Sequence, residues 1–479
     1  MMFKSENIDM KQLTNECDSL LRKLFPICRS ITGNGVRKSL SILKEIVDFE
    51  IKEIPSGTKC YDWIVPNEWN VNEAFIKDSK GRKIVDFTEN NLHLVSYSVP
   101  INKKISYHEL NEHVDTLPNL PDAIPYRTSY YKKYWGFCIA FDKYDKFDKD
   151  DTYNVYIDST LEPGSLTFGE SVIQGKSDKE FLFTTYCCHP SMGNDNLSGL
   201  ILWALLLREL KKRKRNYTYR FVVAPETIGH IAYLSQNERE MKNVEGGFIL
   251  SCVAGPDKFS YHSTFMENHK IDEIAIEALK EAYPDFTHYH FDINSGDEKQ
   301  YSSPYFRIPI GTICKNKFFE YDYYHTSKDN LDFINSKNLI QTLQVYLKII
   351  DKLENTLETD FRKFKSKNVV NHLKSNHTYL SKNPYCEPML SKRNLYPSKG
   401  GMIKQHAFTE RNDHLEQAYS IDLNKKFQGQ TLDAIRWILF YSDGKTSLEK
   451  ISEITNFPVD FLVNISHQLE KVDLIELIS

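Results

Sequence analysis

The chain has 479 residues, of which 41% are hydrophobic and 26% charged, with a formal net charge of -4. That length exceeds one ordinary compact core, so two or three domains are expected. The balance is that of a soluble globular protein, and the small negative charge excludes a general electrostatic pull toward nucleic acid.

The opening residues, Met1-Met-Phe-Lys-Ser-Glu6, are polar and mixed in charge, unlike a secretory signal. Residues 10–48 have amphipathic helical spacing, with apolar positions such as Leu20, Leu21, Leu24 and Phe25. From about residue 49 to 169 the pattern changes to short β-rich runs at 59–65, 91–98, 135–140 and 153–157, punctuated by Pro and Gly. We expect residues 51–169 to form a β-rich inserted domain. From about residue 170 near-continuous apolar strands (180–186, 217–224, 247–253, 309–314) alternate with helices (197–210, 229–237, 271–282, 336–354). That alternation predicts an α/β fold with a mostly parallel sheet covered by helices on both faces. The main domain is then discontinuous, residues 1–50 and 170–360.

The longest apolar run, residues 197–207, is too short to span a bilayer and reads as a buried helix. The basic run at 211–215 follows that helix, where cations are favoured by its dipole. The nine cysteines are scattered, with no CxxC pair, which fits free thiols in a reducing compartment. A cytoplasmic protein without membrane association is expected. Residues 361–420 are polar and read as a linker. Residues 421–479 form a compact tail of three helices and a short terminal strand, which resembles a winged helix-turn-helix domain. Its recognition-helix candidate, residues 459–469, carries no Lys or Arg, so the tail is expected to contact protein, with no nucleic acid bound.

The chemistry concentrates in the α/β part. His189 and Asp195 share a Gly/Asn-rich loop after the strand at 180–186. Imidazole and carboxylate are zinc ligands, and capping the helix beyond is the alternative role of Asp195. Glu226 follows the strand at 217–224, between Pro225 and Thr227, and suits a general base. His325 follows an aromatic run, with Asp329 four residues on; a stacked structural histidine is the alternative. In open α/β sheets ligands bind beyond the carboxyl ends of the strands, where these residues fall. Asp297 and Glu298 are adjacent carboxylates suited to a substrate ammonium, with surface solvation weighed nearly equally, and Tyr301 is a candidate oxyanion donor.

These pieces resemble the zinc exopeptidase family that includes the bacterial zinc aminopeptidases. They are most similar to a bacterial aminopeptidase-like subfamily with a β-rich insert and a C-terminal winged helix. The matching segments are Cys188-His-Pro-Ser191, Asn194-Asp-Asn-Leu-Ser-Gly199, Pro225-Glu-Thr-Ile-Gly229, Gly296-Asp-Glu-Lys-Gln-Tyr301 and His325-Thr-Ser-Lys-Asp329. The resemblance implies zinc ligands at His189, Asp195 and His325 and a general base at Glu226 acting on zinc-bound water. Two-zinc relatives carry a second Glu after the base and an Asp ligand on the next strand; here the positions hold Thr227 and Ser251-Cys252. One zinc is therefore the preferred reading, with the fourth position open. The implied activity is an amide or peptide hydrolase of the aminopeptidase type, acting on a peptide or on an aminoacyl or amino-sugar amide, with a link to surface-polysaccharide biosynthesis. In relatives the insert shapes the cleft or mediates subunit contact, which leaves a homo-oligomer open. The competing reading is a metal-retaining binding or regulatory protein with weak or lost catalysis.

Overall fold

The computed structural model describes residues 9–356, 377–396, 400–401 and 430–478. Among them the largest sheet has eight strands, ordered Glu50–Pro55, Ser165–Ile173, Thr218–Ala224, Glu180–Tyr186, Val244–Leu250, Ile310–Lys315, Phe259–His262, Thr287–Tyr289. The four central strands, 218–224 to 310–315, pair in parallel, and every residue in them is buried. Continuous burial on both faces is why these strands read as near-continuous apolar runs.

The flanks differ from the expected mostly parallel arrangement, and the sheet is mixed. The strands at 50–55 and 165–173 are antiparallel to their neighbours, and 259–262 runs antiparallel to 310–315. Both 50–55 and 165–173 fall at the ends of the segment read as the insert, yet they pair into the large sheet. The reason is local: only residues 174–179 join Ser165–Ile173 to Glu180–Tyr186, a connection too short for a parallel crossover. The expected strand at 91–98 is instead a helical turn, Asn91–His93, followed by irregular chain.

The two faces of the sheet are covered by different material. Helices Met10–Leu24, Asn34–Lys44, Gly199–Lys211, Lys270–Ala282 and Ser336–Glu354 pack one apolar cluster. Helix Gly199–Lys211 buries ten of its residues, because it lies between the sheet and other helices. On the opposite face helix Ile228–Gln236 shares a second cluster with residues of the insert, such as Ile76, Phe137 and Val155. The insert itself is built on a four-stranded antiparallel sheet ordered 83–86, 68–77, 152–162, 101–106.

At the C-terminus three helices, Thr431–Tyr441, Leu448–Thr455 and Val459–Lys471, enclose a third core with Tyr379 and Leu390. Strand Thr378–Ser381 is the middle of a three-stranded sheet with 443–447 and 475–477. That strand lies inside the segment read as a linker. Thr378 and Tyr379 favour extended chain, but four residues amid polar sequence are too short a signal, and pairing on both edges completes the strand. The rest of that segment, residues 361–376, 397–399 and 402–420, and the start of the expected tail domain at 421–429, lie outside the described residues. Among the described residues no helix is long and apolar enough to cross a membrane.

Candidate active site

Three chain segments far apart in sequence meet beyond the carboxyl ends of the central strands. The loop after Tyr186 carries His189 and Asp195, and its path is set by hydrogen bonds from outside it. The Asp329 carboxylate accepts from the Asn194 N–H at 2.6 Å and the Asp195 N–H at 2.9 Å. Arg29, buried in the helical face, donates from Nε to the His189 carbonyl at 2.9 Å. Gly199 opens the following helix against the end of the strand at 244–250; a Cβ there would sit 2.2 Å from the Leu250 carbonyl oxygen, so only glycine fits. Helix Gly199–Lys211 has no side-chain cap, so Asp195 does not cap it and is free for another role.

That role is visible in the geometry. His325 Nε2 lies 3.0 Å and His189 Nε2 3.9 Å from Asp195 Oδ2. Ligand atoms of the three residues lie within 4.8 Å of one another, and all three residues are buried. Asp195 Oδ2 and both His325 ring nitrogens have no hydrogen-bond partner. Buried polar atoms are rarely left unmade. Donors about 2.1 Å from a tetrahedral ion stand about 3.4 Å apart, and the separations of 3.0 and 3.9 Å bracket that value. The donor set therefore fits a zinc ion with three protein ligands. Burial pushes the His189 imidazole down to about 4, which keeps it neutral near pH 7, the form able to coordinate a cation. Burial works against the Asp195 anion, but the two imidazoles and the Tyr186 hydroxyl hold it down to about 2.

Glu226 stands on the rim, its Oε2 3.8 Å from His189 Nε2, with 35% of its side chain still open. Burial in the cleft, and then the Asp195 charge, push its carboxyl up to about 7. The turn that presents it is held from both ends. The Glu226 N–H donates to Cys188 Sγ at 3.4 Å, and the Thr227 N–H donates to Asp297 Oδ1 at 2.8 Å. Thr227 has φ 59° and His325 φ 56°, left-handed backbone that costs on the order of 1–3 kcal/mol at a non-glycine residue. The strained residues belong to two of the three segments that present side chains to the centre.

The remaining sequence candidates sit beneath this rim. Asp297 and Glu298 are buried rather than solvated. Asp297 Oδ2 lies 3.3 Å from His230 Nε2, and His230 Nδ1 lies 2.9 Å from the Tyr301 hydroxyl. Tyr301 is fully buried, so its hydroxyl is directed to His230 inside the fold. Glu298 bonds Thr312 through one oxygen and lines the cleft.

The cleft is a cavity of about 630 Å³ whose walls come from every part of the chain. Tyr126 and Tyr130 come from the insert, Tyr324 from the His325 segment, Tyr396 from the segment before the tail, and Arg436 from helix Thr431–Tyr441. The Tyr126 ring lies 5.2 Å from the rings of both His189 and His325, and its N–H donates to the His325 carbonyl at 2.8 Å. Arg436 is buried and donates to Asn294 at 2.8 Å. Sequence reasoning gave no site role to Arg29, Tyr126, Tyr186 and Arg436, because the partners that give each one come together only in the fold. Asp329 did carry a signal, four residues after His325.

The mixed sheet with its loop-borne histidines and aspartate is an aminopeptidase-like α/β fold. The zinc aminopeptidase BSAP of Bacillus subtilis aligns with it at a TM-score of 0.55 and 12% identity, over 76% of this chain and 100% of that one, a likeness of fold alone. The chain belongs to the family described as "Domain of unknown function (DUF4910)", whose model matches residues 18–356. It is 40% identical over 463 residues to the "Putative polysaccharide biosynthesis protein with aminopeptidase-like domain" of Clostridium acetobutylicum, covering 97% of this chain and 96% of that relative. The crystal structure of a "putative peptidase" from Clostridium acetobutylicum matches with a TM-score of 0.70 at 39% identity, over 98% of this chain and 97% of that one.

Proposed function

We propose that the protein is a zinc-dependent amide hydrolase of the aminopeptidase type, with Glu226 as its general base. The observation that carries the reading is the position of Glu226: its carboxylate comes within 3.8 Å of His189 Nε2, beside the His189, Asp195 and His325 cluster, and borders the cavity. A zinc ion held by those three residues would supply Lewis acidity toward an amide carbonyl and toward water. Glu226, with a carboxyl near 7, is suited to take a proton from water and to pass it to the leaving amine. Asp195 keeps its charge for the cation, and the Asp329 bonds hold its backbone in place. Glu298 and Tyr126 line the cleft where a substrate would lie.

The likeness to a "putative peptidase" and to a "Putative polysaccharide biosynthesis protein with aminopeptidase-like domain" supports a peptide-type amide as the substrate class and a role in polysaccharide biosynthesis, and a sugar-linked amide would join the two. The C-terminal unit, in the manner of a winged helix, would serve as a wall of the cleft through Arg436. The test is zinc analysis of wild type, His325→Ala and Glu226→Gln, with turnover of a panel of aminoacyl and amino-sugar amides on the same samples. We expect about one zinc on wild type and Glu226→Gln and none on His325→Ala. Turnover should fall about 10²–10⁴-fold in Glu226→Gln. Zinc without turnover in the wild type would favour the binding-protein reading.

A further inference from the structure

We infer that Tyr186 is the positioning residue that restricts this centre to a single divalent cation, bound through one oxygen of Asp195. The inference rests on the reading of His189, Asp195 and His325 as metal ligands. It starts from an asymmetry in the Asp195 carboxylate. Oδ2 has no hydrogen-bond partner and faces both imidazoles. Oδ1 accepts a hydrogen bond of 2.6 Å from the Tyr186 hydroxyl. Such a bond to an ionised acceptor is short and among the stronger ones in a protein.

The same phenol oxygen lies 2.7 Å from Ser251 Oγ. Tyr186 ends the strand at 180–186, and Ser251 follows the end of the neighbouring strand at 244–250. One oxygen atom thus fills the gap between the Asp195 carboxylate and the next strand end. A second cation lodged beside Oδ1 would have to displace it. The group across the gap is a serine hydroxyl, which carries no charge to draw a cation in.

Tyr186 is 5% exposed, its ring packs 5.3 Å from the His189 ring, and its hydroxyl is held between Asp195 and Ser251. Holding Oδ1 also fixes the direction in which Oδ2 points. A partner of this kind behind a metal ligand is commonly worth 10–100-fold in metal affinity.

The test is zinc stoichiometry, with affinity read by competition against a chelator, on the purified full chain. Thermal melts of the metal-free proteins are run beside it. We expect one ion on wild type. Tyr186→Phe should keep one ion, bound about 10–100-fold more weakly, with a metal-free melting temperature lowered by the loss of one buried hydrogen bond but a cooperative transition retained. Ser251→Asp alone should still hold one ion, because the phenol remains in the gap. Tyr186→Ala combined with Ser251→Asp should take two. Two ions on the wild type, a second ion on Ser251→Asp alone, or unchanged affinity in Tyr186→Phe would overturn the inference. One zinc without hydrolysis of any amide would end the hydrolase reading and leave this one standing; a wild type that binds no zinc ends both.

Discussion

Two buried carboxylate–imidazole clusters flank Glu226, and they are built to opposite ends. On one side Asp195 faces His189 and His325 and is held well below the usual carboxylate range. On the other Asp297 faces His230, with Tyr301 behind it, and is pushed well above that range by burial and then by the Glu226 charge. Asp195 presents an oxygen with no hydrogen-bond partner to two imidazole rings, the arrangement of a cation site. Asp297 uses its Oδ1 to accept the Thr227 N–H and so fixes the strained turn that carries Glu226. Identical residue types therefore form a candidate cation site on one side and a backbone clamp on the other. What separates them is the direction of the free lone pair and the sign of the nearest charge.

The contrast can be broken by exchanging what each acid loses. Asp195→Ala should abolish zinc retention, read by metal analysis, and should also lower the metal-free melting temperature near neutral pH, because a carboxylate whose titration the fold holds down contributes stability as the anion. Asp297→Ala should spare the metal. Zinc content should stay at the wild-type level, but the Thr227 N–H loses its acceptor, at a cost of about 1–3 kcal/mol in denaturant unfolding and with a fall in turnover. Loss of zinc from Asp297→Ala would show the two clusters to be one.

Asp297→Asn sharpens the comparison, because the amide oxygen still accepts the Thr227 N–H. We expect little stability change at low pH and a growing advantage over wild type as pH rises. The folded carboxyl titrates above its ordinary value of 3.8, so the stability it contributes is full below that pH. That contribution is lost as pH climbs through the raised folded value. Unfolding of metal-free protein from acid to neutral pH reads the difference. A constant offset between the two proteins would show that the acid is already ionised in the fold. The smallest effect is expected at Cys188, whose sulfur accepts the Glu226 N–H. Cys188→Ser keeps an acceptor and should retain turnover, whereas Cys188→Ala should lose about 0.5–1.5 kcal/mol of stability.

Much of the scaffold was legible from periodicity. The strands at 180–186, 217–224 and 309–314 and the helices at 271–282 and 336–354 were placed to within about three residues, since a buried strand and an amphipathic helix write their spacing into local sequence. The three residues His189, Asp195 and His325 were also singled out in advance, and the fold brings them together. The sheet's antiparallel flanks were missed, because whether a strand runs with or against its neighbour depends on how the chain returns to the sheet. Asp297 and Tyr301 show the same limit at the site. Their chemistry suggested contact with substrate, yet one holds a backbone N–H and the other a buried imidazole.

Sequence by itself determined the local elements and the inventory of groups able to bind zinc and move a proton. Those follow from side-chain identity and from spacings of a few residues. Tertiary structure alone decided how each group is used. Asp195 gives one oxygen to Tyr186 and leaves the other facing two histidines. The insert covers a face of the main sheet. Arg436, far along the chain, reaches the wall of the cleft. The physical reason is the reach of a hydrogen bond: its partners must come within about 3 Å, and for groups distant in sequence only packing brings them there.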